Sequence, residues 1–312
     1  MRFRFSMDDR PHLALRLTGI LRYQDGFWMS PREALSWVGE AVARTRPLFE
    51  AEEEISEIAP ADFIRALVAL GTVLAVQGEN ARVAPPLREA RALARRHNEN
   101  RLLARAIAMH SLDHVFHPTE ELIGDLQEAT ELSRRHDYPL ELAASLAYLG
   151  AMYIFSGEVQ KGRPYVAEGV EILTKIGNPR SLAIALEGQA VLAHITGDLE
   201  TAQRLGPQAI EKFSQIGSQT EINRSRSRLA HVLRQSGQLA EAREYYRQTI
   251  VAWLEQGQLP AVAHQLECFA YLSIAEDQHE HAARLLGRAQ ETRRQLDAPS
   301  IDPRETVELQ QT

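Results

Sequence analysis

The 312-residue chain has a single cysteine, Cys268, which excludes a disulfide framework and any cage built of cysteines and suits a reducing compartment. Nor does it have an excess of positive charge. Its 35 Lys and Arg face 42 Asp and Glu, a formal net charge of −7, which argues against direct binding of nucleic-acid phosphates. No apolar run approaches the roughly 18–20 residues needed to span a bilayer. The first ten residues, MRFRFSMDDR, lack the apolar core of a secretory signal. The signatures of phosphate binding and hydrolysis are missing too: no G-x-x-x-x-G-K-[ST], no G-x-S-x-G and no H-E-x-x-H. With 44% hydrophobic and 25% charged residues, the composition is that of a folded chain. The expectation is a cytoplasmic, globular protein with no cofactor and no enzymatic activity.

What is present is a period. Gly157, Gly197, Gly237 and Asp277 stand 40 residues apart. A second series, Asp137, Gly177, Gly217, Gly257 and Asp297, has the same spacing. Further back, Gly78 keeps the first phase, His117–Pro118 stands where the next glycine is due, and Gly26 opens the series. Each period reads as two helices and two turns. Leu142, Leu146, Leu149 and Tyr153 fall on one helical face, Gly157 breaks the pattern, and a second helix is expected over 159–176. Gly177-Asn178-Pro179 then stops it, since Gly suits a left-handed cap and Pro cannot continue a helix. A lone hairpin cannot bury its apolar face, so neighbours must stack. The predicted fold is all-α: an α-solenoid of about seven helical hairpins over residues 11–299, in one domain. Residues 1–10 are an N-terminal extension and 300–312 a C-terminal tail. The acidic stretch 47–60 is longer than the period allows and is an insertion in the first repeat.

Small residues recur at fixed offsets from the turns: Gly71, Gly150, Ala190, Ala230 and Ala270 before them, Ala202, Ala242 and Ala282 after, then Ala90, Ala209 and Ala289. This resembles the tetratricopeptide pattern, in which small side chains let paired helices approach closely, with a longer second helix here. Residues 13–43 (LALRLTGILRYQDGFWMSPREALSWVGEAVA) and 279–299 (HEHAARLLGRAQETRRQLDAP) further resemble the first and last repeats of a bacterial sensor domain. That sensor is the C-terminal solenoid of large ATP-binding transcription regulators, the signal-transduction ATPases with LuxR-type DNA-binding domains. Their nucleotide-binding motif and DNA-binding helix-turn-helix have no counterpart here. The resemblance implies a sensor portion, a stand-alone relative or another solenoid.

In such solenoids the first helix of each hairpin lines a concave groove. Projection of the repeat places Ile154 and Phe155 in an apolar middle stretch, followed by Glu187, Val191 and His194. One end carries Arg224, Arg228, His231 and Arg234, then His264, Glu267 and Tyr271. Arginine forks hold carboxylates or phosphates while an apolar strip supplies burial. The groove therefore suits a protein or peptide partner, or a small acidic effector. Arg224 and Arg228 resemble part of the two-carboxylate clamp of chaperone-binding tetratricopeptide domains, although Gly188 replaces that clamp's Asn. The competing expectation pairs these arginines with Glu187, Glu221 or Glu267 across repeats. A constitutive assembly scaffold is the alternative function. A third reading is a metal-dependent hydrolase on His110, His114 and His117, whose i, i+4, i+7 spacing sets three imidazoles on one helical face; packing between helices is the plainer role for His110. Cys268, among Leu266, Phe269 and Leu272, reads as a buried inert thiol.

Overall fold

The computed structural model describes residues 11–20, 31–50, 58–77, 79–112 and 118–296. Among the described residues there are fourteen α-helices and no strand. The chain divides into two compact units, residues 1–165 and 166–312. The first holds α1 (Pro11–Ile20), α2 (Pro31–Glu50), α3 (Pro60–Gln77), α4 (Asn80–Arg96), α5 (Asn100–Leu112), α6 (Glu120–Arg135) and α7 (Pro139–Phe155). The division falls within α8 (Val159–Ile176). The second unit continues with α9 (Pro179–Ile195), α10 (Leu199–Gln215), α11 (Gln219–Gln235), α12 (Leu239–Glu255), α13 (Leu259–Ala275) and α14 (His279–Leu296). From Pro60 onward a helix begins every 19 or 20 residues, so the hairpins recur at the 40-residue period. The acidic insertion is helical as far as Glu50. Residues 51–57 lie outside the described residues, as do Gly26, Gly78, His114, His117 and Asp297.

The turns form for the reason the two punctuation series suggest. Gly157, Gly197 and Gly237 sit at φ +86°, +81° and +78°, and Asp277 takes the same left-handed conformation at +59°. At each, two N–H groups turn back onto the helix just ended. Gly237 N donates to Arg234 O at 3.0 Å and Gln238 N to Leu233 O at 2.9 Å, while Asp277 and Gln278 repeat the pattern on Ile274 and Ser273. Starts are capped as well: Asn178 Oδ1 accepts from Ser181 N at 2.8 Å, and Asp198 Oδ1 from Thr201 N at 3.0 Å.

Packing follows the small residues. A Cβ on Gly162 would lie 2.4 Å from the carbonyl oxygen of Gly150, and one on Gly71 would lie 2.4 Å from Leu87 Cγ. Those contacts hold α7 against α8 and α3 against α4 at a separation that only glycine permits. In the first unit, Phe63, Leu67, Ile107, Leu126 and Leu149 join α3, α5, α6 and α7 in one core. The second unit has separate apolar clusters: Ala183, Ala209, Phe213 and Ile222; Ala193, Ala202 and Val232; and Leu229, Leu233, Tyr246, Cys268 and Leu272. Ion pairs staple successive repeats within each unit. Buried Glu141 receives Arg101 at 3.1 Å and Arg105 at 3.8 Å, and Glu221, 80 residues on, receives Arg180 at 3.1 Å. None of the described helices is long and apolar enough to cross a membrane.

Candidate functional site

The first helices of the second unit, α9, α11 and α13, carry most of the projected site. Between α9 and α11 the polar residues reach across one repeat. Glu187 accepts from Ser225 Oγ at 2.8 Å and from Arg228 Nη1 at 2.5 Å, while His194 Nε2 and Gln235 Oε1 are 2.9 Å apart. The Glu187 side chain is 13% exposed and that of Arg228 is 42% exposed, so the guanidinium is the end that meets solvent. Beside this pair, among α9, α10 and α11, lies a shallow, open cleft with an enclosed space of only about 20 Å³. Glu187, Val191, His194 and Arg228 border it, and Ala190, Ala202 and Gly206 are also part of its lining. Leu229 packs over Gly206 there, so the floor is filled and the opening is shallow. Ala230 and Ala270, one and two repeats after Ala190, are fully buried, whereas Ala190 is not.

Between α11 and α13 the contacts turn inward. Arg234 lies over the ring of Tyr271 at 5.1 Å, and Tyr271 is buried. His231 Nδ1 meets the Tyr246 hydroxyl of α12 at 2.9 Å. The Nε2 atoms of His231 and His264 lie 3.9 and 3.8 Å from Cys268 Sγ. Among the described residues, these three form a cluster whose ligand-capable atoms all fall within 4.8 Å of one another. Burial holds the His231 pKa well below the ordinary histidine value, helped by the positive potential of His264, Arg234, His194 and Arg228. Glu267 shows the opposite balance. Burial by itself would raise its pKa, but hydrogen bonds from Arg293 and the charge of Arg293 and His264 bring it down to about 2. Arg293 of α14 holds that carboxylate in a fork at 2.6 and 2.7 Å.

The projected residues therefore separate. Glu187, His194 and Arg228 come together at the cleft, and half-buried Arg224 lies one turn before Arg228 on α11. The expected cross-repeat pairing holds for Arg228 with Glu187, whereas Glu221 takes Arg180 and Glu267 takes Arg293. His231 and Tyr271 are directed into packing. In the first unit, Ile154 is 7% exposed and lies close to Gly162 of α8, and Phe155 packs on the core. His110 is buried with its Nδ1 3.4 Å from Arg91 Nη1, so a guanidinium already sets positive charge against that nitrogen. The rest of its proposed trio, His114 and His117, lies outside the described residues.

The His231, His264 and Cys268 grouping was not foreseen from the sequence. Its signal was there: His264 and Cys268 are i and i+4, and His231 moved forward by one 40-residue period lands at position 271, one turn beyond Cys268.

No family model and no curated protein sequence matches this chain. Solved structures do. The apo form of RapI aligns with a TM-score of 0.61 at 14% identity, covering 80% of this chain and 88% of RapI. A Rap protein complexed with Competence and Sporulation Factor aligns at 0.63 and 15% identity, over 85% of this chain and 70% of the other. The fold is tetratricopeptide-like. A signal-transduction ATPase with numerous domains (STAND) from Pyrococcus horikoshii, which has a tetratricopeptide repeat sensor, aligns at 0.54 and 15% identity. That match covers 92% of this chain and 43% of the archaeal protein. At these identities the likeness establishes the helical-repeat fold.

Proposed function

We propose that this tetratricopeptide-like chain is a non-enzymatic binding and regulatory module. It takes an acidic segment of a peptide or protein partner into the cleft of α9, α10 and α11. The observation that carries this reading is Arg228, an exposed arginine at the edge of a shallow apolar cleft, with His194 bordering the same cleft. Ala190, Val191 and Val232 along it give an apolar group of the ligand a surface to pack on. Arg228 offers the charge, because a ligand carboxylate can replace Glu187 as its partner, and Arg224 adds a second guanidinium one turn away. Tyr271 acts from behind, its ring packed against the guanidinium of Arg234. Regulation then follows from differential binding, since a ligand that prefers one spacing of α9 and α11 shifts the chain towards it.

A Rap protein of the same fold is complexed with Competence and Sporulation Factor, which supports reading the fold as one that holds a signalling ligand. The finer reading, a sensor portion of a larger regulator, draws on the resemblance of residues 13–43 and 279–299 and on the STAND protein's tetratricopeptide sensor. A small acidic effector could use the same arginines.

The test is a random-peptide array probed with the full chain and with Arg224→Glu/Arg228→Glu. The wild type is expected to select acidic peptides, and the double variant to bind them at least about tenfold more weakly while its circular dichroism is unchanged. Equal selection by both proteins overturns the assignment.

A further inference from the structure

We propose that His231, His264 and Cys268 form a two-histidine, one-thiolate site for a late first-row transition-metal cation, with zinc(II) as the reference occupant. The proposal stands apart from the peptide reading, since it concerns the α11–α13 interface and not the cleft.

Geometry comes first. His264 and Cys268 project from one face of α13, and His231 reaches them from α11. A tetrahedral centre with zinc–sulfur and zinc–nitrogen bonds of usual length needs sulfur and nitrogen about 3.6 Å apart. The observed 3.8 and 3.9 Å sulfur–nitrogen separations are within a few tenths of an ångström of that value, and all three atoms lie within 4.8 Å of one another. A single thiol proton can bridge to only one of the two imidazoles at a time, whereas one cation engages both and the sulfur together.

The surroundings are those of metal-ligating side chains. Both histidines face the sulfur through Nε2. The Nδ1 of His231 is 2.9 Å from the Tyr246 hydroxyl, and Glu267 Oε2 lies 3.7 Å from the Nδ1 of His264, beyond hydrogen-bond reach. A hydroxyl that accepts from the Nδ1–H of His231 would leave its Nε2 the lone pair a metal needs. Glu267 is itself fixed by Arg293. The sulfur has a similar support. Gln265 Nε2 lies 4.0 Å from Cys268 Sγ, and the amide is held in that sense by Thr249 Oγ1 donating to its Oε1 at 2.6 Å and by its own Nε2 donating to Ser227 Oγ at 2.7 Å. An N–H aimed at sulfur favours the thiolate.

The repeat supplies a control within the molecule. Forty residues earlier, the equivalents of His231, His264 and Cys268 are Val191, Arg224 and Arg228. Stacking two repeats therefore does not require this set of side chains. Binding would replace the thiol proton with the cation and release that proton to solvent. Cys268 is fully buried while both imidazoles are partly exposed, so water or a ligand group reaches the remaining coordination position from the histidine side. The ion would tie the last two hairpins together.

The experiment is a titration of the reduced full chain with cobalt(II), followed by absorbance. One equivalent is expected to bind, with a thiolate-to-cobalt charge-transfer band and four-coordinate visible bands that zinc(II) then bleaches. Cys268→Ser should abolish the charge-transfer band. His231→Ala and His264→Ala should each weaken binding by about tenfold or more, and His279→Ala/His281→Ala should leave it unchanged. Stoichiometric cobalt giving no charge-transfer band in the wild-type chain overturns the site, whatever the folding of any variant. So does a band that survives Cys268→Ser.

Discussion

The α9/α11 and α11/α13 interfaces are the same junction drawn 40 residues apart, and their chemistry is opposite. At the first, Glu187 meets a half-exposed Arg228 beside a cleft. At the second, Cys268 stands in the place of Arg228 and Ser227 in the place of Glu187, while Glu267, a further 40 residues on, turns to Arg293 of its own hairpin. That pair is buried, with 9% of the arginine and 11% of the glutamate side chain exposed. A repeat thus determines where side chains are presented, while the residues at those places decide whether a junction opens to a ligand or closes on itself.

The comparison breaks most sharply at the two acids. Glu267→Gln removes the partner of a buried guanidinium and is expected to cost about 3–5 kcal/mol in urea denaturation. Glu187→Gln, which leaves a guanidinium that water can reach, should cost under about 1 kcal/mol. Similar losses at both positions would show the two junctions to be equally closed.

Alanine enlargement sharpens the contrast. Ala230→Leu, at a fully buried position, should destabilise by about 1–3 kcal/mol, whereas Ala190→Leu at the cleft should cost less than about 0.5 kcal/mol. Ala190→Leu should also reduce peptide selection by filling the space. Full stability with undiminished selection would place the ligand elsewhere.

The smallest effects lie in the turns, which are alike in both junctions. Gly237→Ala places a Cβ at φ +78° and should cost about 1 kcal/mol. Asp277→Gly, at φ +59°, should gain a few tenths of that. Thermal denaturation of both variants measures the difference directly. A stabilising Gly237→Ala would refute the cap assignment.

The fold was legible because its rules are local. Helix 159–176 was read from a glycine before it and a Gly-Asn-Pro after it, and α8 has those bounds. The same grammar, repeated at an unchanged period, extended the reading through α14. The site was legible only in part. Glu187 with Arg228 was among the pairings weighed, since a first-helix acid and a cation 41 residues later face each other across one repeat. The inward turn of His231 was not read, because counting residues does not say which side of a helix its neighbour occupies. Ile154 shows the same limit: projected to line a groove, its side chain lies close to Gly162, drawn there by the glycine contact of α7 with α8.

Periodicity, caps and left-handed turn residues act over a few bonds, so helix positions, turn chemistry and the hairpin repeat are written in the order of the residues alone. Two histidines and a cysteine from positions 231, 264 and 268 meet only after α11 and α13 have packed. Their meeting depends on side-chain direction and on the volumes of intervening residues, and those are properties of the assembled repeats.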